Sequence, residues 1–131
     1  MSAELLGLDF LYSPTADVEG DVEHLTKAGA RLVFAIEAFG TRVAMVQLID
    51  EPPALVLAGH LEGERPIFVY RVESLDESID SLESVGWEPE QRFEIPHGPG
   101  CAFHTPGGQR IAIYELTRAE TAEKLAGRRD F

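Results

Sequence analysis

Asp17, Val18, Val22, Leu25 and Gly29 recur as Ser74, Leu75, Ile79, Leu82 and Gly86, each shifted by 57 positions. A unit written twice is the strongest constraint in this chain, because a duplicated unit predicts a pseudo-symmetric fold with a cleft between its copies. In each copy a polar cap residue is followed by apolar residues at i, i+4 and i+7, one face of a helix, and then by a glycine able to end it.

Around these helices the chain alternates in strand-like runs. Leu8–Tyr12 precedes the first helix; Arg31–Ile36, Arg42–Ile49 and Ala54–Ala58 follow it, with a turn at Gly40-Thr41 and a break at Pro52-Pro53. Pro66–Val72 precedes the second helix. Ser74-Leu75-Asp76-Glu77 fits a capping box at its start. Glu90–Ile95, Cys101–His104 and Arg110–Glu115 follow, with Pro96–Gly100 and Thr105–Gly108 as loops. The expected fold is α+β: two tandem β-α-β-β-β modules, residues 5–60 and 66–116, forming a cup-shaped mixed sheet with helices outside. Residues 117–131 form a tail. Its Thr117-Arg118-Ala119-Glu120 predicts a short capped helix to about Ala126, with Arg128–Phe131 loose.

Composition narrows the function classes. The formal charge of -12 argues against nucleic acid, whose affinity rests on basic contacts to phosphate, and fits a solvated acidic surface. No apolar run reaches the roughly 20 residues that cross a bilayer. The first residues lack the basic start of a signal peptide. Cys101 is the only cysteine, which rules out an intrachain disulfide and suits a reducing cytoplasm.

The doubled unit resembles the vicinal oxygen chelate superfamily, which includes glyoxalases, extradiol dioxygenases and bleomycin resistance proteins. Phe103-His104-Thr105-Pro106-Gly107-Gly108-Gln109 is similar to the family's F-x-D-P-x-G-N turn, with Thr105 in place of the aspartate. Phe68–Val72 followed by Leu75 looks like the family's fifth strand entering its helix. The resemblance spans residues 5 to 116. It implies a metal on the cup floor, held from the first, fourth, fifth and eighth strands. The matching positions here are Leu8, Val56, Ile67 and Ala112, none with a donor atom, and Asp9 is the alternative on the first strand. No metal or other cofactor is expected.

Strand alternation then draws the cup lining: Phe10 and Tyr12 beside Leu8, His60 beyond Val56 toward the rim, Val69 and Arg71 beside Ile67, and Tyr114 beside Ala112. Phe103 is expected to point in and His104 away. Arg71 interrupts an apolar strand, so it meets either a ligand anion or an internal carboxylate such as Glu94 or Glu115. His60 is either an acid–base group at the rim or an exposed loop residue. Cys101 is expected to be a small buried residue, Tyr70 to pack under a helix and Trp87 to cap one. A site of His60, His97 and His104 is the competing metal arrangement. The reading that follows is a metal-free small-molecule-binding protein, for ligand sequestration or drug resistance, acting as a homodimer. The alternatives are a metal-independent lyase or isomerase, a metal-dependent enzyme with displaced ligands, and a dimerising accessory domain.

Overall fold

The computed structural model describes residues 4–38, 40–61, 63 and 65–131. The elements, in chain order, are β1 (Gly7–Pro14), α1 (Val18–Lys27), β2 (Arg31–Ala38), β3 (Thr41–Gln47), β4 (Ala54–Ala58), β5 (Ile67–Val72), α2 (Leu75–Ser84), β6 (Glu88–Ile95), β7 (Gly98–His104), β8 (Arg110–Glu115) and α3 (Ala119–Leu125). The two β-α-β-β-β modules expected from the sequence are therefore present, and the fold is α+β. Parts of the connection at 59–65 and of the turn before Gly40 lie outside the described residues.

The chain divides into two compact units. One joins Phe10–Pro66 to Glu123–Phe131; the other joins the chain up to Asp9 to Ile67–Ala122. In the first, the strands run β2-β3-β4-β1, with β4 parallel to β1 and the rest antiparallel. In the second they run β5-β8-β7-β6, with β5 and β8 parallel.

Each helix forms as its spacing dictates and buries that stripe on its own sheet. Asp17 caps α1 by accepting the Gly20 N–H at 2.9 Å, and Val18 and Val22 then pack with Ala35, Ala44 and Leu57. Leu75, Ile79 and Leu82 of α2 pack with Val72, Cys101, Phe103 and Ile113. Gly29 and Gly86 follow the helices at φ 104 and 96, left-handed values that side chains with a Cβ resist. The α2 cap has a contribution that the sequence motif lacks. Ser74 accepts the Glu77 N–H at 3.5 Å, and Glu115, at the end of β8, accepts the Leu75 N–H at 2.8 Å.

Three of the departures from the expected boundaries bear on packing. β3 stops at Gln47, leaving Leu48 and Ile49 exposed. β7 begins at Gly98, so the Pro96–Gly100 loop is mostly strand. Glycine is there for close approach rather than for a turn: a Cβ at Gly98 would lie 1.9 Å from the Glu115 carbonyl, and one at Gly100 would enter the Phe93 ring. Thr117 does not cap α3, which starts at Ala119; the Thr117 and Arg118 N–H groups both donate to the His97 carbonyl instead.

The tail is not loose. Gly127 donates to the Val33 carbonyl at 2.7 Å, Ala35 to the Arg128 carbonyl at 2.9 Å and Asp130 to the Ala35 carbonyl at 2.7 Å. The segment thus adds to β2 in parallel. Phe131 packs against the α1 cluster, and the Arg42 guanidinium lies 4.7 Å over its ring.

Candidate functional site

The face of each sheet turned away from its helix carries the expected lining, with one exception. In the Ile67–Ala122 unit, Val69 is in register with Ala112 and Arg71 with Tyr114. Ile67, Val69, Ala112 and Tyr114 are buried. Phe103 is the exception. Its ladder partner is Ile111, two residues from the Ile113 that lies under α2, so it belongs to that helical core and is fully buried there. Ala102, paired with Ala112, takes the place on the face turned away from α2. His104 is exposed, with Nδ1 3.6 Å from Glu90.

Arg71 finds neither of the carboxylates expected for it. Glu94 is held by Arg118, and Glu115 caps α2. The partner is Asp9: Arg71 Nη1 lies 3.5 Å from Asp9 Oδ2. The same oxygen accepts the Tyr114 hydroxyl at 2.5 Å. The His97 ring stands edge-on to the Tyr114 ring, 6.3 Å between centroids. Side chains of Asp9 and Arg71 are 16% and 39% exposed, so the carboxylate is sheltered while the guanidinium reaches solvent.

The electrostatics follow from this geometry. Burial pushes the Tyr114 phenol well above its ordinary value, and the Asp9 carboxylate adds to that by accepting its proton in a hydrogen bond. Burial lowers His97, with the Asp9 charge opposing, which favours a neutral imidazole near neutral pH. The cluster therefore pairs one cation with one anion and holds a neutral phenol between strands. It can donate from a guanidinium and accept at a carboxylate on an otherwise apolar face. Asp9 and His97 entered the sequence reading only as candidate metal ligands; the structure sets them beside Tyr114 instead.

In the Phe10–Pro66 unit, Tyr12 is in register with Val56 and Phe10 with Ala54. Phe10 and Val56 are buried, and burial raises the Tyr12 phenol. His60 is exposed, 6.2 Å edge-on from Tyr12 and 3.5 Å from the Thr41 hydroxyl. Cys101 is buried in the α2 cluster and its thiol is pushed up by that burial; Tyr70 and Trp87 pack against the same cluster.

The metal implied by the resemblance does not fit these residues. Val56, Ile67 and Ala112 offer no donor atom, and Asp9 is engaged by Tyr114 and Arg71. Among the described residues no three His, Cys, Asp or Glu side chains group as a metal site. Among the described residues no helix is long and apolar enough to cross a membrane.

No family model matches the sequence, and no curated protein does. Solved structures match over nearly the whole chain. Methylmalonyl-CoA epimerase from Mycobacterium tuberculosis superposes with a TM-score of 0.75 at 20% identity, covering 93% of this chain and 95% of that one. A second methylmalonyl-CoA epimerase gives 0.67 at 11%, covering 85% and 96%. A variant of homoprotocatechuate 2,3-dioxygenase from Brevibacterium fuscum gives 0.69 at 14%, covering 92% of this chain and 37% of that larger one. At such identities the likeness establishes the fold. That fold agrees with the one expected from the resemblance read in the sequence.

Proposed function

We propose that this chain binds a small organic molecule without a metal, through the sheet face turned away from α2 that carries Asp9, Arg71 and Tyr114. The observation that carries the reading is that Arg71, among the described residues, makes one ion pair, the 3.5 Å contact with Asp9. A guanidinium has five donors in a planar fork. One long contact leaves most of that fork available to a carboxylate or phosphate. The apolar residues Ile67, Val69 and Ala112 lie on the same face, which is the usual setting of a small-molecule site: an apolar lining with few polar groups. Sequestration of a toxic or signalling molecule in the cytoplasm, by a homodimer, completes the proposal.

The test is a thermal-shift screen of small carboxylates and phosphates with apolar bodies. A ligand at 100 times its dissociation constant adds about 2.7 kcal/mol to stability. The shift is expected in the wild type and lost in Arg71→Leu. No shift across the screen, or an equal shift in Arg71→Leu, overturns the reading. Sedimentation tests the dimer.

A second reading, a metal-independent lyase or isomerase, is favoured by the Tyr114–Asp9 hydrogen bond, which provides a proton donor and acceptor in contact. It requires that a bound ligand is recovered chemically changed and that Tyr114→Phe abolishes the change without abolishing binding.

A further inference from the structure

β2 ends the strand order of its unit, and its outer edge is taken by residues 127–131 of the same chain. The covering is specific. The Val33 carbonyl, both backbone groups of Ala35 and the Glu37 N–H are all engaged, the last by the Asp130 carboxylate at 2.9 Å. Arg42, gripped by Glu37 at 2.7 Å and Glu19 at 2.9 Å, closes over Phe131. Yet the helix that delivers this segment, α3, buries no residue. Among the described contacts the segment is held by its strand bonds, the Asp130 carboxylate and the Phe131 ring.

The strand beneath it has the composition of an association-prone run. Leu32-Val33-Phe34-Ala35-Ile36 has high β-propensity, no charge and no proline. An uncovered edge of this kind presents unpaired N–H and C=O groups that require partners. It is also self-complementary. Two copies of β2, antiparallel about Ala35, set Ala35 opposite Ala35 in a hydrogen-bonded pair, Phe34 opposite Ile36 on either side, and the Glu37 N–H toward the Val33 carbonyl, where a bulge leaves Val33 outside the β3 register. No like charges face each other in that register.

We propose that Gly127–Phe131 is a releasable strap that closes the β2 edge, and that its release turns β2 into a pairing surface for β2 of a second copy of this chain. This device is independent of the ligand site on the other unit.

Two full-length variants test it: Asp130→Ala with Phe131→Ala, which removes both side-chain anchors, and Gly127→Val, which strains the turn at φ 86. The readouts are amide hydrogen exchange and sedimentation across a concentration series. In dilute solution the Ala35 and Glu37 amides are expected to exchange at least about tenfold faster than in wild type, while Phe34 and Ile36, which face β3, keep their protection. At high concentration each variant gains one association step that the wild type lacks, and protection returns to Ala35 and Glu37. Unchanged exchange at Ala35 and Glu37 in both variants overturns the strap. Lost protection with no added association at any concentration overturns the pairing surface.

Discussion

The two units share one construction and differ in what they place on the sheet face away from the helix. In the Phe10–Pro66 unit that face presents Phe10, Tyr12, Phe34, Met45, Val56 and Ala58, with His60 beside Tyr12 at its end and Thr41 next to His60. In the Ile67–Ala122 unit the same face starts with Ile67, Val69 and Ala112 and ends in the Asp9–Tyr114–Arg71 cluster. The helix sides are alike: a capped ten-residue helix pressing a stripe of Val, Leu or Ile on small and branched strand residues. Duplication has thus kept the core and let the chemistry diverge, with the Asp9–Arg71 ion pair in one copy.

The comparison is tested most severely in the cores. Phe103→Ala should destabilise by about 3–5 kcal/mol in urea titration, because a fully buried ring is lost beneath α2. Leu57→Ala under α1 should cost about 2–5 kcal/mol, so the two helices are expected to be of similar weight. A Phe103 cost below 1 kcal/mol would return that residue to the ligand face.

Next comes the Asp9–Tyr114–Arg71 cluster of the second unit. Asp9→Ala leaves the Tyr114 hydroxyl without its acceptor and should cost about 1–3 kcal/mol. Tyr114→Phe, which removes the buried hydroxyl along with the bond, should cost less. Equal costs would mean that the phenol is rescued by solvent.

The caps should differ by a smaller amount. Asp17→Ala is expected to cost about 1 kcal/mol. Ser74→Ala should cost less than Asp17→Ala, since Glu115 still holds the first turn of α2. Circular dichroism melts of both variants decide the order.

The smallest effect is a slope. Burial lowers His97 in the folded chain, so below the ordinary imidazole value of 6.5 the unfolded chain takes up the proton first. Stability supplied by the neutral ring is therefore complete above that pH and lost as pH falls through the folded value. His97→Asn should flatten the decline of Tm between pH 7 and 5. On the alkaline side the sign is reversed. Tyr114 is raised, so the folded chain keeps its proton above pH 10.0, and its contribution falls only as pH rises beyond that. An absorbance titration should find Tyr114 resisting ionisation until the chain unfolds.

Most of the fold was legible because it rests on local periodicity. The i, i+4, i+7 stripes place α1 and α2, and Ala54–Ala58 and Arg110–Glu115 are strands at the expected residues. Arg71 was legible as a charge inside an apolar strand. Its partner was not, since Asp9 lies far from it in sequence and a carboxylate on a first strand looks the same paired or solvated. Phe103 was misplaced because a turn motif says nothing of which face the strand before it presents; the ladder partner of Ala112 decides that, and it is Ala102. The docked tail escaped notice for the same physical reason. A few residues added to a sheet edge carry no period of their own.

Glu115 sits forty positions beyond the helix whose first amide it holds, whereas Asp17 serves α1 from within the same turn. The two helices must then differ in when they become complete. α1 can close its first turn as soon as its own segment condenses, while α2 waits for β8 to arrive beside β5. In folding kinetics, substitutions at Asp17 should slow folding and those at Glu115 should mainly speed unfolding: the duplicated halves are alike in space and unlike in time.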